Sequence, residues 1–585
     1  MKRILGIFPI SIALAAGLYG QGKEAEARQK TLRVPGGHPT IQAAIDAAVA
    51  GDVVLVDPGS YKERIQLKTG ITVKSAGDDA RGELGLKRAE ATIIDGTGGD
   101  EKDPGVAMAE DSILDGFTVT GVGKYDEALW NRHHATQGNQ QSHEHIGIPG
   151  VAGISVVGIG HCRVENNIVH HIGYTGIAIM GTEGKRVSPH IVRNVTYRNM
   201  GGGIGSMRES TAIIAENVCF ENFYAGIGHD NASPLVVDNT CYANLRAGIG
   251  VSEHSRPVVR GNKCYRNRRA GIGIRTGKDT RPVIEDNDCY ENEMAGIGTD
   301  EHASPIIRGN RCYDNVLAGI GTRDKSQPTI IGNKCYRNEQ AGIGSRGGAK
   351  PLIVGNECYE NKLAGIGQRG DAETTLIGNY CHHNGTTGIG FDECQSGRAT
   401  VMNNRVIDNA LVAVGIHSGW KVNLSGNELS RKGGLPPIVM VFAGAEATFS
   451  NNTIRGEGVA GIRVAGTVNA TENHFEALKM RKVGPPSFAI WGLEGSIVTM
   501  EGNQVKTYRH ALSATGATVN ASNNTVSDFF RNAFVVKNSS TPANIFNNIA
   551  ITDDPKAEVI SIEGEKGVIS GNELTAGKSL FQPCF

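Results

Sequence analysis

The residues best placed to do chemistry follow a tripeptide, Gly-Ile-Gly, that this chain writes again and again. Two positions past the final Gly stand Asp230, Ser252, Arg275, Asp300, Arg323, Arg346, Arg369 and Asp392. The next position holds Glu253, Thr276, Glu301 and Asp324, with His254 and His302 directly after. If successive copies stack at the ~4.8 Å spacing of paired strands, these groups come within roughly 5–10 Å of one another. That is the scale of the carboxylate pairs that cleave glycosidic bonds. It also suits an Asp and an Arg that handle a sugar carboxylate together. Glu253, His254, Arg275, Asp300, Glu301, His302, Arg323 and Asp324 form the tightest cluster and are the candidate catalytic residues. Arg346 and Arg369 continue the strip as candidate substrate contacts. The same alternation of sign would equally serve a solvated edge that only avoids stacking like charges.

A second set lies in residues 122–150, VGKYDEALWNRHHATQGNQQSHEHIGIPG, which break the repeat. Trp130 could stack on a sugar at the edge of a binding face. His143 and His145 form a His-x-His pair that could ligate a divalent metal such as Zn or Cu. No further ligand appears at a diagnostic spacing, so no cofactor is fixed by sequence. A third set is the ring beside each repeated cysteine: Tyr197, Phe220, Tyr242, Tyr265, Tyr290, Tyr313, Tyr336 and Tyr359. Such a column either self-stacks or offers a platform to sugars, and self-stacking is the simpler use.

What must position these groups is the repeat. Cys219, Cys241, Cys264, Cys289, Cys312, Cys335, Cys358 and Cys381 follow one another at 22 to 25 residues. The unit reads P-x-[IV]-x-x-N-x-C-[YF]-x-N-x-x-A-G-I-G, then a variable polar stretch. Within 351–373 it offers PLIVG, ECYE and AGIG, each too short for a helix and each bounded by turn residues. The expected fold is therefore all-β: a three-sided parallel β-helix, one coil of three short strands per ~23 residues. Ala364 and Ile366 should share one face of their strand, with Gly365 and Gly367 on the other. Two asparagine columns, one through Asn310 and one through Asn315, should bond amide to amide and take up the left-handed backbone of the corners. The G/N-N-x-[VIL] signature persists weakly to Gly571-Asn572-Glu573-Leu574, which implies on the order of 20 coils and a length of roughly 95 Å.

The bulk numbers exclude several classes. Net charge is −1 over 585 residues, without the basic footprint of a nucleic-acid binder. Lys2 and Arg3 followed by the apolar run Ile4 to Leu18 resemble an export signal, and nothing after it is apolar for long enough to span a membrane. Thr40-IQAAIDAAVAG-Asp52 reads as a short amphipathic helix that caps the first coil. The chain thus divides into a signal peptide over 1–25, a cap over 26–52, a β-helix over 53–577 with its regular repeats at 190–410, and a tail over 578–585.

TIQAAIDAAVAGDVVLVDPGSYKERI, GITVKSAG, ATIIDG, ILDGFTVTG and the N-x-x-x-x-N-x-x-G-I repeats together resemble the right-handed parallel β-helix proteins of the pectin-lyase-like superfamily. Within it they look most like the carbohydrate-binding-and-sugar-hydrolysis type, which includes a periplasmic protein of nitrous oxide reductase maturation (NosD type) and the alginate epimerases. The resemblance spans nearly the whole chain. It implies a fold; lyases, hydrolases, epimerases and non-catalytic members share that fold. The epimerases' Asp-Pro-His-Asp signature is missing, since Asp57-Pro58 and Asp103-Pro104 lack the His-Asp that should follow.

The expectation is an exported, periplasmic or extracellular monomer that binds or processes a polysaccharide or oligosaccharide along one charged face, by lyase or hydrolase chemistry if it is catalytic. A non-catalytic accessory protein linked to a metal, or a structural adhesion solenoid, are the alternatives. The cysteines should be a buried, reduced ladder, because Thr196 and Val406 occupy the same slot and parallel stacking aims the Cβ bonds alike.

Overall fold

The computed structural model describes residues 29–78, 81–136 and 151–575. It is a parallel β-solenoid of about 23 turns. The coil through 297–313 shows the plan. Ile297–Thr299, Ile306–Arg308 and Arg311–Tyr313 are its three strands. Each pairs in register with its copies in the coils below and above: Ile297 with Ile272 and Ile320, Ile307 with Ile284 and Ile330, Cys312 with Cys289 and Cys335. Three-residue strands cannot stand alone; each is held by main-chain bonds on both sides. We call these three sides the first, second and third sheets.

Strand alternation sends Ile297, Ile307 and Cys312 inward, all fully buried. The asparagine columns close two corners. Asn310 Nδ2 donates to Asn333 Oδ1 at 2.9 Å, to the Ile284 carbonyl at 3.0 Å and to the Arg308 carbonyl at 3.0 Å. Its own Oδ1 accepts from the Asn287 main-chain N–H and side-chain amide, both at 2.9 Å. The left-handed residue is the one before the asparagine, Gly309 (φ 65°) or Asp286 (φ 55°), and not the asparagine itself. The amide was thus selected for corner carbonyls and N–H groups that would otherwise be buried unbonded.

The Ala-Gly-Ile-Gly segment also differs from its simple reading as one strand. The first strand begins at Ile366, and Ala364-Gly365 form the corner before it. Gly365 faces the interior, where an added Cβ would sit 2.7 Å from the Gly388 carbonyl. Gly367 faces outward, where a Cβ would meet only the methyls of Ala341 and Ala364, at 3.6 and 3.8 Å.

Helix α1 (Ile41–Ala47) covers the N-terminal end, with Thr40 Oγ1 accepting the Ala43 N–H at 3.1 Å and Ile41, Ala44 and Ile45 buried. The parallel sheet starts before it: Thr31–Val34 pairs with Val53–Val56, inside the stretch that sequence assigned to the cap alone. A short helical segment of five residues, α2 (Lys87–Ala91), places buried Arg88 against Asp115 at 2.8 Å. Helix α3 (Glu127–His134) was not foreseen in the insertion; Asp126 caps it by accepting the Leu129 N–H at 2.9 Å. At the C-terminal end the strands lengthen, to Asn532–Phe546 and Glu558–Ser570. The expected signal segment, 1–25, and the expected tail, 578–585, lie outside the described residues.

Candidate functional site

The outward Gly of the first sheet repeats in register through Gly228, Gly250, Gly273, Gly298, Gly321, Gly344, Gly367 and Gly390. Glycine weakens a strand and gives no cross-strand packing. Gly205 and Gly415 extend the run to ten in register, which leaves a strip of main chain without Cβ atoms, a floor about 4.8 Å per coil along the axis. Cβ atoms added at Gly273, Gly298 and Gly321 would touch nothing nearer than 3.7, 3.8 and 3.5 Å, so sterics do not require these glycines.

The charged strip is one rim of that floor, because the chain leaves the first sheet directly after the inward residue. Arg275, Asp300, Arg323, Arg346 and Arg369 are the first residues out. Glu253 and His254, Glu301 and His302, and Asp324 then turn the corner in left-handed conformation (φ 46–68°). Arg323 Nε donates to Asp300 Oδ2 at 2.7 Å and comes within 4.0 Å of Asp324. The Asp324 carboxyl hydrogen-bonds that of Asp300; this bond, then partial burial and the neighbouring charge, hold Asp324 above the usual carboxylate range against the pull of Arg323 and Arg346. Asp300 and Asp324 thus form a carboxyl pair anchored by one guanidinium, Arg323. Arg369 is engaged with Asp392, Nε to Oδ2 at 2.8 Å. Glu301 accepts from Thr276 Oγ1 at 3.3 Å, and the His254 N–H donates to Thr280 Oγ1 at 3.0 Å. Asp300, Arg323 and Asp324 are therefore brought together, with Arg346 close by in charge. Glu253 and His254 lie farther down the rim.

The opposite rim was missed from sequence. Arg246 and Arg269 occupy the variable position just before Ala-Gly, where the repeat motif carries no signal. Burial, then repulsion from Arg246 on the same rim and from Arg275 and Arg323 across the floor, push the Arg269 guanidinium down to about 10. Burial likewise lowers Arg246, which packs over Tyr224 at 4.8 Å. Among the described residues, Arg246 and Arg269 on one rim and Arg275 and Arg323 on the other line the stretch of floor around Gly273 and Gly298, and each is already engaged with other groups.

Other candidates fare differently. Trp130 is only 2% exposed and cannot stack on a sugar. One ring face carries Arg198 at 3.7 Å, His134 stacks at 4.9 Å, and Nε1–H donates to the Glu221 carbonyl at 2.9 Å. With Met200, Phe223 and Leu245 it pins α3 to a corner of the solenoid. His143 and His145 lie outside the described residues; among the described residues no three His, Cys, Asp or Glu groups converge as a metal would require. The tyrosine rings stack face to face, 4.9 Å apart from Tyr265 through Tyr359 at 5–8° between planes. Each ring occupies its neighbour's face, so the column stabilises the solenoid and offers no platform. All eight ladder cysteines are free and fully buried. His229, which directly precedes Asp230, is the inward residue of its strand, is 3% exposed, and burial pushes it down to about 3.

With the coil and its faces defined, the class of the chain is plain. The model of the right handed beta helix region matches residues 141–280, 246–350 and 343–476, together more than half of the 585 residues. The chain belongs to that family. No curated protein matches it in sequence. Among solved structures it is similar to the periplasmic alginate epimerase AlgG, at 15% identity over 52% of this chain and 77% of that one, TM-score 0.33. The catalytic unit of a GH87 alpha-1,3-glucanase from Streptomyces thermodiastaticus gives 14% identity over 65% and 66%, TM-score 0.34. Bacteriophage phi29 gene product 12 gives 11% over 91% and 71%, TM-score 0.33. At such identities and scores these likenesses do not decide what this chain does.

Proposed function

We propose that this is an exported β-helix protein that binds an acidic polysaccharide along the glycine floor of the first sheet and cleaves it at the Asp300–Asp324 pair. The observation that carries the reading is the floor itself. A side-chain-free strip bounded by Arg246 and Arg269 on one rim and by Arg275 and Arg323 on the other matches an extended chain bearing carboxylates. A globular ligand would not need so long a run of bare main chain.

In this reading the guanidiniums neutralise sugar carboxylates and hold the polymer in line. Asp324, whose proton affinity its neighbour raises, is the group that gives a proton to the glycosidic oxygen; the salt bridge to Arg323 stabilises the negative charge left on the pair. Two hydrogen-bonded carboxyls are too close to hold a water or a sugar between them, as separated acid and base residues do. The pair therefore acts as one donor. Glu301 or His302 on the same rim would be the second acid–base group, activating water or taking the proton α to a sugar carboxylate in an elimination. Export is supported by the charged and apolar N-terminal run of Lys2 to Leu18.

The test is incubation with uronate-containing and neutral polymers, with binding and new chain ends measured for the intact protein and for Asp324→Asn. Acidic polymers should be bound and cut, and the variant should bind without cutting. Failure to bind any acidic polymer would sink the proposal. The metal-linked accessory reading rests on His143 and His145 alone, and no described residue adds to it.

A further inference from the structure

The second sheet changes character along its length. Its first outward position is aliphatic in Ile213, Leu235, Val258, Val283 and Ile306. From Thr375 onward the same register column reads Thr400, Asn423, Thr448, Asn469, Thr499 and Asn520. Threonine suits a strand; asparagine is depleted there. An outward Asn at mid-strand therefore costs stability that Val or Thr would supply, at every second coil. Asn elsewhere in this solenoid closes corners, but Asn423 and Asn469 are exposed at mid-strand and no corner carbonyl is within their job.

Thr375, Thr400, Asn423, Thr448 and Asn469 floor an open cleft of about 420 Å³ that runs across five coils. One edge carries Glu373, Arg398, Lys421 and Glu446, two charges of each sign, with Lys421 and Glu446 paired at 2.9 Å. The cleft is thus neutral in sum, in contrast to the arginine-lined floor of the first sheet. Its floor offers one hydroxyl or amide per coil, each both donor and acceptor, at a repeat of about 4.8 Å.

We propose that this cleft is a second binding site, for a neutral glycan strand laid along the solenoid axis. Threonine hydroxyls and asparagine amides match sugar hydroxyls, which also both donate and accept. The absence of net charge disfavours the acidic polymer assigned to the first sheet. The two sites lie on different sheets and do not depend on each other.

The experiment measures binding of neutral hexasaccharides (gluco-, manno-, xylo- and galacto-series) and of an acidic oligosaccharide, by calorimetry on the full chain. The variant is Asn423→Val/Asn469→Val, whose residues suit an outward strand position, so folding is retained or improved; thermal unfolding checks this. A neutral series should bind and lose about tenfold or more in affinity in the variant, with acidic binding unchanged. If no neutral series binds, or if one binds the variant equally, the inference is wrong. If acidic binding alone fails, the first-sheet reading falls and this one stands. Loss of acidic binding in the variant would overturn the separation of the sites. A second variant, Thr448→Val, removes one hydroxyl and keeps the shape; unchanged neutral affinity there and in the double variant together would exclude the ladder.

Discussion

Gly298→Val separates the demands of the floor from those of the fold. A Cβ at Gly298 would meet only the Ala270 methyl at 3.8 Å, an ordinary contact, and Gly298 is not among the residues at positive φ. Valine is favoured on strands and glycine disfavoured, by up to about 1 kcal/mol. Stability should hold or rise by that amount. With an unfolding entropy of about 2.1 cal/mol/K per residue, a chain of this length shifts its Tm by only ~1 °C for it. Binding should respond far more. The isopropyl group stands between the arginine rims, exactly one coil from Gly273 and Gly321 on either side. Displacing the bound polymer stretches its contacts to the arginines, and losing one charge-assisted hydrogen bond costs about 1.5–3 kcal/mol, roughly ten- to a hundredfold in affinity. Calorimetric binding of an acidic oligosaccharide, with circular dichroism melts of the same samples, reads both effects. A variant that folds as well as the parent and binds as tightly would refute the floor as a binding surface. A variant destabilised by several kcal/mol would refute the claim that these glycines are not needed for packing.

Further outcomes follow from the same structure. Asn310→Ala removes five corner hydrogen bonds and should cost about 3–5 kcal/mol in urea unfolding, since each buried group left unbonded costs ~1–3 kcal/mol; a loss under 1 kcal/mol would contradict the corner's role. Thiol titration in denaturant without reductant should find the eight ladder cysteines free; fewer than four would contradict the buried ladder. Burial depresses His229 to about 3, so its contribution to stability is complete above its unfolded pKa of ~6.5 and is lost as pH falls from there toward 3. His229→Val, which copies Val251 in the next coil, should therefore flatten the fall in stability over that window, as read by urea midpoints at several pH values. Asp115 is held low: burial opposes this, but bonds from Asn166 and Arg88 outweigh it, so its stabilisation is present above ~3.9 and is lost on further acidification. Asp115→Asn should remove one charge partner of buried Arg88, cost about 1–3 kcal/mol at neutral pH, and lose less on acidification than the parent.

The coil was legible because its demands repeat. Ile307, Cys312 and Asn310 recur at one spacing, and each recurrence is a strand face or a corner seen twenty times over. The cysteine ladder was legible for the same reason: Thr196 and Val406 in the slot speak of volume. Other features were hidden where the constraint acts between distant residues. Gly365 and Gly367 look alike in sequence, yet one lies under a carbonyl of the next coil and the other faces outward with only two methyls at ordinary contact distance. The α3 helix is held by Phe223 and Leu245, some 90 residues and more from Trp130. Half of the candidate site was visible, since the rim after Gly-Ile-Gly carries its charges in register. The other rim was not: Arg246 and Arg269 stand at a position that is Tyr, Met, Leu or Gln in other coils, and only stacking shows them facing Arg275.

The most direct test of the central claim is product analysis after incubation of the intact protein with an acidic polysaccharide, with and without Asp324→Asn. The structure predicts new chain ends from the parent protein, falling as pH rises through the raised range of Asp324, and bound but uncut polymer from the variant. Equal cleavage by both, or no binding by either, would contradict it.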